Sequence, residues 1–221
     1  MTIEILIAEK DPLIKESSAQ LRELAEAAAS WALSRISLSD VSVVIYRDPM
    51  AVIPETGVGG FSPSSHVATI AVDPANPLFA GRMSTEVPAT IVHELHHCSR
   101  WAQPGYGRTL IEALVSEGLA QHFETDFRGG AAPFYALALS PSDLEALSAR
   151  AGQEYDNANY SHTDWFFGSA SRNIPRLSGY SIGFDLVGKF LKAHQGNAAY
   201  YHQESAQSFR PYCRQPYTTA L

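Results

Sequence analysis

The sequence predicts an α+β fold, organised as one domain over residues 1–221 with two lobes. The upper lobe, 1–101, is a small mixed sheet with helices above it, and the lower lobe, 102–221, is mostly helical. Three observations carry this expectation. Short stretches with apolar residues at every second position lie in the first 72 residues. Long stretches of helical period follow, with glycines at 105 and 107 breaking them. At 221 residues and 45% hydrophobic, the chain can bury a real core and suits one domain of two lobes better than two independent domains.

In chain order, Ile3, Ile5 and Ile7 alternate with Thr2, Glu4 and Leu6, which predicts a strand over 2–8. Asp11 before Pro12 starts a helix that runs to about Ser34, its period marked by Leu13, Leu21, Leu24, Ala28 and Trp31. A second strand over 41–46 is stopped by Arg47, Asp48 and Pro49, and a third is expected over 66–72. Between them, 50–65 carries Pro54, Gly57, Gly59, Gly60 and Pro63. These residues predict a surface loop, with a mobile edge above a cleft as the alternative.

The most informative stretch is TIVHELHHCSRW, residues 90–101. Residues four apart on an α-helix are offset by only about 40°, so His93 and His97 project together and offer two imidazole nitrogens to one metal. Glu94 stands beside them. This is the H-E-x-x-H pattern, whose histidines hold Zn²⁺ and whose glutamate serves as general base on a zinc-activated water. Val87, Ile91, Leu95 and Cys98 form an apolar stripe on the other side, so the helix can pack and still present its histidines. Ser84 or Thr85 is the expected N-cap, placing Pro88 in the first turn.

A second helix is expected over 109–126, with Ile111, Leu114, Val115, Leu119 and Phe123 as its core stripe and Glu117 off that stripe. Ala113, Gly118 and Ala120 around it are small, and a helical glycine costs about 1 kcal/mol against alanine. Close approach of another helix would account for it. His122 falls on the stripe as a packing residue, and His96 is a neighbour of the pair rather than a ligand.

HELHH followed by Glu117, with nineteen residues between His97 and that glutamate, resembles the gluzincin metallopeptidases. HELHH with VSEGLA resembles more closely the bacterial predicted Zn-dependent proteases of the peptidase MA-like superfamily, a likeness that continues weakly through WFFG and GYSIGFDLV. The resemblance implies a zincin-like fold and a zinc metallopeptidase, with His93, His97 and Glu117 as zinc ligands and Glu94 as catalytic base. Three protein ligands also leave a fourth position for water, as catalytic zinc requires. Gluzincins often donate a hydrogen bond to the oxyanion from a tyrosine or histidine of the lower lobe, which implies Tyr180 here, with His162 as the alternative. Thermolysin-type gluzincins carry an aspartate four residues after the ligand glutamate, whereas this chain has Gln121, a neutral acceptor that would raise ligand basicity less. The resemblance also places near residues 59–65 the edge strand of the upper lobe, to which an extended peptide would hydrogen-bond. A noncatalytic zinc-stabilised peptide-binding module is the alternative to an enzyme.

Further along, a short helix is expected over 141–151, capped by Ser140 or Ser142, and a long one over 179–194. The aromatic stretch 153–171 reads as core before pocket. A net charge of −7 with no run of Lys or Arg leaves no footprint for nucleic acid or an anionic membrane, so the expected partner is a peptide or protein substrate. With no basic leader, no long apolar run and two cysteines of no paired spacing, the expected compartment is the cytoplasm, without a disulfide.

Overall fold

A computed structural model describes residues 2–213. It is α+β, with one four-stranded sheet, and falls into two compact units, the first ending at Gly105 and the second starting at Tyr106.

The first unit holds β1 (Ile3–Ile7), α1 (Pro12–Lys15), α2 (Ser18–Leu33), β2 (Val41–Arg47), β3 (Val58–Ser64), β4 (Val67–Val72) and α3 (Phe79–Ala102). Strand order is β1-β2-β4-β3, with β1 and β4 parallel to β2 and β3 antiparallel to β4. Val41, Val43 and Ile45 of β2 and Ala68 and Ile70 of β4 point into the core, and α3 packs on β3, β4 and α2. The helix expected from Pro12 to about Ser34 is broken at Glu16 and Ser17. Asp11 accepts the Leu13 amide at 2.9 Å to cap the first turn, and α2 starts afresh at Ser18.

Two expectations are corrected here. Residues 58–64 form a strand where the breakers favoured a loop, in keeping with the edge strand that the family resemblance placed near 59–65. Glycine and proline read as breakers, but β3 is an edge strand, where such residues are tolerated, and the register against β4 shifts between Phe61 and Ser64, around Pro63. The metal helix also starts earlier than its caps suggested. Asn76 accepts the Leu78 amide at 2.8 Å, α3 begins at Phe79, and Pro88 lies inside the helix rather than in its first turn.

The second unit holds α4 (Leu110–Phe127), α5 (Pro141–Ala151) and α6 (Ser178–Ala193), with short 3₁₀ turns at Phe134–Leu137, Ala170–Arg172 and Ala206–Tyr212 and a π-helical turn at Thr163–Phe167. Thr109 and Glu112 form a reciprocal capping box at the start of α4, and Ser140 accepts the Asp143 amide to cap α5. Residues of α4 are buried on every side, so its stripe is not a face but part of a helix wrapped in core. The crossing of α4 and α6 explains its small residues: a Cβ on Gly118 would stand 2.2 Å from the Gly183 carbonyl oxygen, and one on Gly183 would stand 2.4 Å from that of Leu114. Trp165 and Phe166 are fully buried, as expected of core, while Phe167 is exposed. No helix among the described residues is long and apolar enough to cross a membrane.

Candidate metal centre

In the first unit, α3 carries His93, Glu94 and His97 with their side chains buried. Val87, Ile91, Leu95 and Cys98 are fully buried, and α3 packs on the sheet and on α2, so packing fixes the helix's rotation and with it the direction of the histidines. His93 Nε2 and His97 Nε2 lie 3.1 Å apart, with the rings edge to face. Two basic nitrogens brought that close suit a shared cation.

Glu94 is held from the strand. Ser62 Oγ on β3 donates toward Glu94 Oε2 at 2.8 Å and lies 2.9 Å from the Glu94 carbonyl oxygen. The backbone passes so near that a Cβ on Gly60 would meet Glu94 Oε1 at 2.4 Å. A glycine is required at 60 by this approach.

In the second unit, Glu117 is buried on α4, and Tyr106 donates its hydroxyl to Glu117 Oε1 at 2.5 Å. Burial first, and then the neighbouring carboxylate, push the Tyr106 phenol well above its ordinary range, so it stays a donor. Gly105 and Gly107 on either side both have positive φ, 107° and 109°, which shapes the short connection that presents this tyrosine. Tyr160 is raised to about 12, by burial and then by the Glu117 charge, and its hydroxyl meets His162 Nδ1 at 3.1 Å. Tyr180 sits in the first turn of α6, edge-on to Phe166 and Tyr135, while the His162 ring stacks on Phe166.

The ligand atoms of His93, His97 and Glu117 all lie within 4.8 Å of one another, and all three residues are buried. Two imidazoles and a carboxylate are the donor types zinc takes in catalytic sites. Gln121, one turn beyond Glu117, is fully buried, and both its amide atoms lack a hydrogen-bond partner. It therefore makes no bond to a histidine. A buried amide left that way fits a site whose hydrogen bonding is completed around a metal. His122 bonds the Phe184 carbonyl at 2.9 Å, the packing role expected of it.

Sequence reading missed the two side chains that hold the carboxylates. Tyr106 had a signal, an aromatic flanked by glycines between two helices, whereas Ser62 was hidden inside what read as a loop.

No curated protein and no solved structure matches the chain. A family model does, the one described as "Predicted Zn-dependent protease (DUF2268)", and it covers residues 21–210, a span that includes every residue of the group above. The chain belongs to this family of predicted Zn-dependent proteases.

Proposed function

We propose that the protein is a zinc metallopeptidase that hydrolyses peptide bonds. The observation that carries the reading is the buried group of His93, His97 and Glu117 on a chain that also holds a carboxylate, Glu94, next to the first ligand. A purely structural zinc site has no use for such a carboxylate.

His93 and His97 would hold the metal through Nε2, and Glu117 through its carboxylate, whose Oε1 is oriented by Tyr106. Zinc held there supplies Lewis-acid polarisation of the scissile carbonyl and brings the pKa of a water toward about 7. Glu94 takes the proton of the attacking water on its carboxylate and delivers it to the leaving amine nitrogen. Its low exposure keeps bulk water from competing. Among the described residues no strand pairs with the outer edge of β3, where Ile53 bridges Val58 alone, and Gly60 and Phe61 are exposed further along it, which supports that part of β3 as the edge that an extended peptide joins. We assign the oxyanion contact to Tyr180, which stands close enough to Tyr106, the partner of Glu117, to help raise its phenol, with His162 as the alternative.

The test is Glu94→Gln on a peptide library. It keeps zinc and loses roughly 10²-fold or more in kcat if Glu94 is the base. Zinc retained with no hydrolysis even in the wild type would leave a zinc-stabilised binding module instead. Tyr180→Phe is expected to lower kcat by roughly 10²-fold with metal bound, and an unchanged kcat would remove the oxyanion assignment.

A further inference from the structure

We infer that Ser62 is a positioning residue that sets the Glu94 carboxylate for proton transfer, an inference that rests on the peptidase reading above. Ser62 is 5% exposed, and its hydroxyl reaches two acceptors that belong to the same residue, Glu94 Oε2 at 2.8 Å and Glu94 O at 2.9 Å. One hydroxyl hydrogen serves one acceptor at a time: pointed at Oε2 it holds the carboxylate, and pointed at the carbonyl oxygen it only fastens β3 to α3. The carboxylate contact is the stronger because it is charge-assisted.

The strand is fastened to α3 around this one residue. Glu94, Cys98 and Trp101 stand at i, i+4 and i+7 on a single helix face. Cys98 Sγ lies 3.6 Å from Ser62 Oγ, and Trp101 Nε1 donates to the Ser62 carbonyl oxygen at 2.7 Å. Burial pushes the Cys98 thiol up to about 12, so it remains a neutral neighbour. The register shift between Phe61 and Ser64 releases Ser62 from regular pairing with β4 and lets it lean on the helix. Irregularities of this kind re-aim a side chain where a regular ladder would not. On its other flank, the bare Gly60 leaves the carboxylate the room it occupies. A serine placed only to tie strand to helix needs the Glu94 carbonyl alone, and the second contact, to the carboxylate, is what a positioning role adds.

The experiment compares zinc content, kcat and KM for wild type, Ser62→Ala, Ser62→Thr and Glu94→Gln. Ser62→Ala is expected to keep zinc and KM and to lose roughly 10- to 100-fold in kcat, since a misplaced catalytic group costs up to about 10²-fold. Ser62→Thr keeps the hydroxyl and is expected to stay within about threefold of wild type. Ser62→Cys, similar in size but a weak donor, replaces Ser62→Ala in the comparison if the alanine variant fails to fold. A readout without turnover comes from the zinc-free chain. A double-mutant cycle of Ser62→Ala with Glu94→Ala is expected to show about tenfold coupling in the unfolding equilibrium constant, and additivity there would overturn the contact. An active wild type, an inactive Glu94→Gln and an undiminished Ser62→Ala would overturn this inference alone. A zinc-loaded wild type that hydrolyses nothing would remove the peptidase reading and this inference together.

Discussion

Gly60 and Tyr106 show how closely single residues are tuned around the candidate centre. Gly60→Ala would drive a methyl into Glu94 and the Thr90 methyl at 2.4–2.7 Å. We expect kcat to fall by roughly tenfold or more while zinc is retained, measured by hydrolysis alongside metal analysis. Tyr106→Phe removes the donor to Glu117 Oε1, and because partners of a ligand typically contribute 10- to 100-fold in metal affinity, we expect the zinc Kd to rise about tenfold or more in a competition titration. At this scale the sequence was legible where spacing implies geometry. His93 and His97 are one helical turn apart with Glu94 between them, and motif likeness added Glu117. Ser62 and Tyr106 were not legible, because each meets its partner through a tertiary contact, 32 and 11 residues away in sequence, that no local period encodes.

Among the elements, the α4–α6 crossing sets how Glu117 and Tyr180 are carried in the second unit. Gly118 follows Glu117 directly, and Gly183 lies one turn past Tyr180, so the two backbones meet where both residues are presented. Gly118→Ala would press its Cβ on a carbonyl oxygen, which a rigid backbone cannot yield cheaply, and we expect about 1–3 kcal/mol of destabilisation by urea unfolding. An unchanged midpoint would mean that the helices are not held this closely. The small residues of VSEGLA announced this crossing, and the helical period after Gly107 and the cap at Ser140 placed the starts of α4 and α5 within a residue. Elements went unread where punctuation misled. Pro88 looked like a first-turn proline but sits inside α3, and Gly59, Gly60 and Pro63 looked like a loop but belong to an edge strand. In both cases packing against neighbouring elements outweighs a local preference worth only about 1–3 kcal/mol.

Across the whole molecule, the family model runs from residue 21 to 210 and so covers most of each compact unit. Both cysteines are free thiols. Cys98 is fully buried with its pKa raised to about 12, whereas Cys213 is half-buried and raised by the same cause. A thiol reagent at neutral pH should therefore label Cys213 in the folded chain and reach Cys98 only on unfolding. Equal labelling rates would show that α3 opens in the native state. A metal that binds the folded chain and not the unfolded one also stabilises it by mass action, so a chelator should lower Tm, and Glu117→Ala should abolish that shift. The most direct test of the account is zinc per chain by elemental analysis of untagged wild type and Glu117→Ala side by side. The account predicts about one zinc in the wild type and a clear loss in the variant. No zinc in the wild type after resupply and dialysis, or equal zinc in both, would contradict it.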